Sequence, residues 1–132
     1  MNCNRINELL KYIPNISYHK IYELLKYSPD MSNLMVQVEV KFNHYNNGNL
    51  SCMLWDVSHN EPFCVVTKNI HSLEFKKKAY VDLNNGGQAL ICFLEENDIA
   101  RNTGFYIFQG YCYYPLYEFN INKANKKFYY IS

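Results

Sequence analysis

The chain has 132 residues, with 13 Lys and Arg against 12 Asp and Glu, so its formal net charge is +1. This length is ordinary for one domain, which can bury a core without a disulfide or metal staple. The hydrophobic fraction of 48% excludes intrinsic disorder, and the balanced charge argues against binding to nucleic acid by bulk electrostatics alone. No apolar run is long enough to span a membrane, and the first residues lack the apolar core of a signal peptide. We therefore expect a cytoplasmic protein that does not bind membranes.

The first part of the chain has the apolar spacing of α-helices. Apolar residues recur every three to four positions over residues 4–28, which predicts a helical hairpin within an N-terminal segment, residues 1–33. The segment Glu8–Tyr12 recurs as Glu23–Tyr27, and a proline follows each copy. Because amphipathic helices usually face their own core, we expect the hairpin to pack on the rest of the domain. A partner-binding arm is the alternative.

From Leu34 onward the apolar period changes to two, which is typical of β-strands. The Asn46–Asn49 and Asn84–Gly87 segments predict hairpin turns, because Asn and Gly accept positive φ. Strands are predicted over Met35–Phe42, Leu50–Val57, Phe63–Thr67, Glu74–Leu83, Ala89–Leu94, Gly104–Phe108, Tyr111–Phe119 and Lys127–Ile131. The short connections predict a mainly β domain over residues 34–132, an antiparallel β-barrel of about seven or eight strands.

The sequence shows no enzyme motif. Phosphate-binding, zinc-protease and hydrolase signatures are all missing, and the four His residues are scattered. The five cysteines lack the C-x-x-C spacing of a zinc or redox site, so they are interpreted as small buried residues in a reducing cell. A Cys–His dyad is the remaining enzymatic alternative. We therefore expect a binding protein that is not an enzyme, with no metal and no cofactor.

Four segments match, in order, the pattern of a known family. They are Val38–His44 with Gly48–Asn49, Leu83–Glu95, Asp98–Ile99 with Gly104–Tyr106, and Gly110–Tyr113. Together they resemble the Vid-type barrel, the substrate receptor of the GID/CTLH ubiquitin ligase, which binds peptides that begin with proline. The resemblance covers roughly residues 35–131.

This resemblance implies a peptide pocket. By position, Glu95 would accept the N-terminal ammonium, Tyr106 would bond the peptide and Val38 would form part of the apolar wall. Cys112 stands where that family has a second pocket Tyr. Without the resemblance, Glu95 is interpreted as a surface residue of a turn and Tyr106 as a core aromatic.

The chain also resembles a second group, the microsporidian dormancy-factor family found on idle ribosomes. The resemblance lies in the compact single domain, the shortened loops and the bias toward Asn, Lys, Tyr and Ile. It fits better, because Ser28–Asn33 lacks the peptide-binding Gln of the degron receptors. It implies a non-catalytic protein that binds the small subunit near the exit-tRNA site and blocks translation. Its partners would be ribosomal proteins and rRNA, not DNA, and a degron receptor for an N-terminal peptide is the alternative.

Two basic segments are compatible with ribosome binding, and both are flanked by aromatic residues. The candidate contacts are Lys76, Lys77, Lys78, Arg101, Lys123, Lys126 and Lys127. Lysines neutralise phosphates without reading sequence, and exposed aromatics can stack on bases. The alternative is a solvated edge strand that its lysines protect from aggregation.

Overall fold

The computed structural model describes residues 35–73 and 76–131. The predicted helical hairpin of residues 4–28 lies outside these residues. Within them, the chain forms eight strands, one α-helix and two short 3₁₀ turns. The strands are β1 Met35–His44, β2 Leu50–Asp56, β3 Glu61–Val65, β4 Thr67–Lys68, β5 Lys78–Val81, β6 Ala100–Gln109, β7 Cys112–Phe119 and β8 Lys127–Ile131, and the helix, α1, is Gly87–Glu96. The 3₁₀ turns are Leu83–Asn85 and Ile121–Lys123.

The strands form two four-stranded antiparallel sheets, as expected for a mainly β domain. The first sheet has the order β3-β2-β1-β8 and the second has the order β4-β5-β7-β6. Val66 links the two sheets, because its N–H donates to the Cys52 carbonyl at 2.9 Å and its carbonyl accepts from Asp82 N–H at 2.8 Å.

The predicted closed barrel is not found in the described residues. The edge strands β8 and β6 share no hydrogen-bonded ladder. Helix α1 contacts both of them. A helix therefore packs where direct pairing of β8 with β6 would be needed to close the sheet.

The segment Ala89–Leu94, predicted as a strand, is helical, and the predicted Asn84–Gly87 hairpin turn instead leads into this helix. Leu90, Phe93 and Leu94 are buried, at the i, i+3, i+4 spacing of one helix face. The prediction was wrong because a short apolar run satisfies the period of either element.

The main core lies between the two sheets and is closed by α1. It includes Val38 and Val40 of β1, Leu54 of β2, and Tyr117 and Phe119 of β7, all buried. A smaller cluster on the other face of the second sheet is made of Tyr80, Tyr114 and Leu116. The second sheet is therefore apolar on both faces.

The cysteines follow the sequence-based expectation only in part. Cys52 and Cys64 are buried free thiols, as expected. Burial raises the pKa of both thiols, for Cys64 to about 11. Cys92 of α1 is disulfide-bonded, so the expectation of a free thiol is wrong there.

Candidate functional site

The β6–β7 hairpin carries most of the exposed large hydrophobic side chains of the described chain. Five of the seven such residues lie there: Phe105, Tyr106, Phe108, Tyr111 and Tyr113. The rings of Tyr106, Phe108 and Tyr113 contact one another, with centroids 5.1–5.7 Å apart. We call these three residues the aromatic face.

Strand register explains why the aromatic face forms. Phe108 pairs with Tyr113 and Tyr106 pairs with Pro115, so strand alternation directs all of them to the same side of the sheet as Tyr117. No charged residue occurs anywhere in residues 102–117. The surface of this hairpin is therefore both aromatic and uncharged.

A bulge separates this surface from the rest of β6. Three residues, 103–105, stand opposite Leu116 alone, and Gly104 has φ +88°. The Thr103 hydroxyl donates to the Leu116 carbonyl at 2.7 Å and fixes the bulge. The bulge allows the chain to bend before it reaches Tyr106.

Glu95 lies at the end of α1, on the same side of the second sheet as the aromatic face. The Tyr117 hydroxyl donates to Glu95 Oε1 at 3.4 Å. The pKa of Tyr117 is raised, first by burial and then by the negative charge of Glu95, and the Tyr113 phenol adds to this shift. The exposed Glu95 carboxylate, bonded by the Tyr117 hydroxyl, therefore lies on the same side of the second sheet as the aromatic face.

The structure brings together two of the four residues that the Vid-type resemblance implies for a pocket. Glu95 and Tyr106 share this side of the sheet, and both are exposed, so Tyr106 is not a core aromatic. Val38 is fully buried in the main core. Cys112 packs with the Tyr114 cluster on the opposite face of β7. Neither Val38 nor Cys112 contributes to the surface that Glu95 and Tyr106 share.

Tyr113 and Tyr117 were missed as site residues at the level of sequence. The signal that could have found them is the alternation within the predicted strand Tyr111–Phe119, where every second residue shares a face.

An open cleft of about 530 Å³ adjoins Glu95. Its polar lining consists of Lys77, Glu95, Asp98, Arg101, Glu118, Asn120 and Asn122. Arg101 is already paired, because its Nη2 lies 2.9 Å from Glu118 Oε1. The carboxylates outnumber the cations in this lining, so the interior of the cleft is a poor phosphate site.

One lysine segment reaches this cleft, and the other begins one residue after a residue that lines it. Lys77 lines the cleft together with Asn122, which immediately precedes Lys123. The Lys77 carbonyl accepts from Phe119 N–H at 2.7 Å, which fixes Lys77 beside the end of β7. Lys76, Lys126 and Lys127 are exposed, and Lys78 is half-buried. Lys123 Nζ lies 5.9 Å from the centre of the Phe128 ring, within cation–π range.

Residues 35–73 and 76–131 contain no group of three or more His, Cys, Asp or Glu arranged to hold a metal ion. The single α-helix in this part of the chain is too short to cross a bilayer.

A family model described as "Domain of unknown function (DUF4313)" matches residues 37–129. This match covers more than half of the chain, which therefore belongs to the DUF4313 family. Comparison with curated proteins gives no match, and comparison with solved structures gives none either.

Proposed function

We propose that this member of the DUF4313 family is a non-catalytic dormancy factor of the cytoplasm. In this proposal it binds the small ribosomal subunit near the exit-tRNA site, contacts rRNA and ribosomal proteins, and blocks translation. The observation that supports it is that Lys77 of one lysine segment lines the same cleft as Asn122, which immediately precedes Lys123 of the other segment.

The charges in and near this cleft suit a partner that contains both RNA and protein. Exposed lysines neutralise phosphates without base specificity, and Phe128 supports the ammonium group of Lys123. The carboxylates of Glu95 and Asp98 inside the cleft repel phosphate but attract basic protein segments. A surface with both signs of charge fits a ribosome, where rRNA and basic proteins lie side by side.

Charge reversal at Lys123, Lys126 and Lys127 tests the proposal. We expect the variant K123E/K126E/K127E to lose binding to purified small subunits in a pelleting assay, because three phosphate contacts become repulsive. The matched control, K123R/K126R/K127R, keeps the charges and should pellet like the original chain. Unchanged melting temperatures would show that both variants remain folded. Equal pelleting of the Glu and Arg variants would contradict the proposal.

A second candidate function is the reception of peptides with an N-terminal proline. It is favoured by one observation, the exposed Glu95 carboxylate on the same side as the aromatic face. In this proposal, Glu95 accepts the N-terminal ammonium, and Tyr106 with Tyr113 packs against the proline ring.

Peptide titration by calorimetry separates this second candidate from the first. A peptide that begins with proline should bind, and acetylation of its amine or the change Glu95→Gln should each weaken binding by about 1.5–3 kcal/mol. The change Glu118→Gln serves as the matched control, because Glu118 lines the same cleft as Glu95 but is paired with Arg101. A peptide affinity that is unchanged by acetylation and by Glu95→Gln would exclude this pocket.

A further inference from the structure

Strand β6 is an edge of the second sheet, and after its bulge it lacks the charged residues and prolines that usually protect an edge. Among the described residues its only neighbouring strand is β7, so one side of its backbone faces no partner strand. Natural edge strands usually carry Lys, Pro or inward-pointing charges that prevent pairing with another chain. From Asn102 to Gln109, β6 has no charged residue and no proline. Among the described residues, no strand lies beside the part of this edge that follows the bulge, so we take that part as the one able to accept a further strand.

The straight part of the open edge is short and well defined. It runs from Tyr106 to Gln109, because the bulge at residues 103–105 interrupts the strand before Tyr106. Tyr106 and Phe108 are 54% and 69% exposed and belong to the aromatic face, whereas Ile107 points to the opposite side. An added strand would place its own side chains beside these rings.

The exposed rings of the hairpin form a large apolar surface. An aromatic side chain carries roughly 150–250 Å², so the five exposed rings present roughly 500–850 Å². The largest apolar patch on a typical monomer is about 300–600 Å², and each partner of a stable complex buries about 800 Å². The exposed rings therefore form a patch that matches or exceeds the largest apolar patch of a typical monomer, which marks the hairpin as an interaction surface.

We propose that two copies of this chain pair through β6 in antiparallel orientation, so that their second sheets join into one eight-stranded sheet. A two-fold axis at Ile107 places Tyr106 of each copy opposite Phe108 of the other. In this register, paired residues keep the same face, so the two aromatic faces become one continuous surface.

Self-pairing is favoured over an unrelated strand because the edge is complementary to itself. A two-fold axis requires residues on either side of Ile107 to match, and Tyr106 and Phe108 are both large aromatics. No like charges oppose each other, because residues 102–117 are uncharged. The dimer is independent of the proposed ribosome binding, since Lys123, Lys126 and Lys127 do not take part in it.

Light scattering coupled to size-exclusion chromatography tests the dimer on the full chain. We expect a particle of twice the 15.7 kDa chain mass, and hydrogen exchange of the β6 amides that slows as protein concentration rises. Phe108→Glu should give the monomer mass, because it places carboxylates in the apolar contact. Ile121→Glu, at an exposed apolar residue outside the hairpin, should remain dimeric.

A pair of opposite charges tests the register. Tyr106→Lys and Phe108→Glu should each be monomeric alone, but their mixture should form a heterodimer, because Lys at 106 then faces Glu at 108. Non-reducing denaturing electrophoresis separates this pairing from a disulfide-linked dimer. A wild-type chain that stays monomeric at every concentration, or a Phe108→Glu variant that stays dimeric, would overturn the proposal. A mixture that forms no heterodimer would overturn the register.

Discussion

Asn49 is a buried polar residue whose side chain fixes the segment after β4. Its Nδ2 donates to Asn69 Oδ1 at 2.9 Å and to the His71 carbonyl at 2.6 Å, and its Oδ1 accepts from Leu73 N–H at 2.8 Å. These bonds connect the first hairpin turn to the segment that follows β4. A single side chain therefore fixes this segment against the turn.

We expect Asn49→Ala to lower the free energy of unfolding by about 2–3 kcal/mol, because it leaves buried polar groups without partners. Urea denaturation measures this change. Asn46→Ala, at an exposed position of the same turn, is the control and should change stability by less than about 0.5 kcal/mol. Equal stability of the two variants would show that the Asn49 bonds contribute little.

Substitution of Val38 tests whether this residue belongs to the core or to a peptide pocket. It is fully buried, so Val38→Ala should lower the free energy of unfolding by about 2 kcal/mol through the cavity it creates. Val65→Ala, where the side chain is 46% exposed, should cost much less. If Val38→Ala changed peptide binding without changing the thermal unfolding temperature, its placement in the core would be wrong.

The buried thiol of Cys64 should make the folded chain less stable at alkaline pH. Burial raises its pKa from 9.0 to about 11, so the folded chain holds this proton more tightly than the unfolded chain. The contribution of the protonated Cys64 thiol to the free energy of unfolding is then fully present below about pH 9 and is lost as the pH rises toward 11. The slope is at most about 1.4 kcal/mol per pH unit for one thiol.

Thermal unfolding measured from pH 7 to pH 11 checks this dependence. The buried thiol of Cys52 acts in the same direction, so Cys64→Ala should make the loss shallower without removing it. An equally steep loss in Cys64→Ala would contradict the role of Cys64.

Helix α1 shows which elements a single sequence can and cannot predict. The bounds of β8 match the predicted Lys127–Ile131, and the first hairpin turn lies where Asn46–Asn49 predicted it. These segments carry either clear alternation or turn residues with a specific φ requirement. The segment Ala89–Leu94 carries neither, and only its contacts with β6 and β8 in the folded chain determine that it is helical.

Gly86 shows how closely the start of α1 packs. A Cβ at this position would lie 2.8 Å from Leu90 Cβ and 3.1 Å from the Tyr130 hydroxyl. Gly86→Ala should therefore lower the free energy of unfolding by about 1–3 kcal/mol through steric overlap. Gly87→Asn is the control, since that position has open space and Asn tolerates its φ of +54°. Urea denaturation should find Gly86→Ala the less stable of the two, and the reverse order would contradict this packing.

At the scale of the whole molecule, the candidate site depends on strand register and on the position of α1. The family resemblance singled out Glu95 and Tyr106 as candidates, and the fold places them on one side of the second sheet. The same resemblance grouped Val38 and Cys112 with them, but one lies in the core and the other across the sheet. The order of residues in the sequence cannot show which of the four share a surface, because the face of each residue depends on which strands pair.

The modest net charge predicts a shallow salt dependence for the proposed ribosome binding. With about three phosphate contacts from Lys123, Lys126 and Lys127, the logarithm of the binding constant should fall with the logarithm of the salt concentration with a slope near −2 to −3. Pelleting with purified small subunits across a salt series measures this slope. A much steeper slope would require contacts beyond Lys123, Lys126 and Lys127, and a flat one would exclude their role.

Sucrose-gradient sedimentation of lysate from dormant cells is the most direct measurement of the proposed ribosome binding. We expect the chain to sediment with small subunits and monosomes at low salt and to be released at moderate salt. The K123E/K126E/K127E variant should stay at the top of the gradient, whereas the matched Arg variant should not. A wild-type chain that stays at the top, or that sediments with a ubiquitin ligase instead, would contradict ribosome binding.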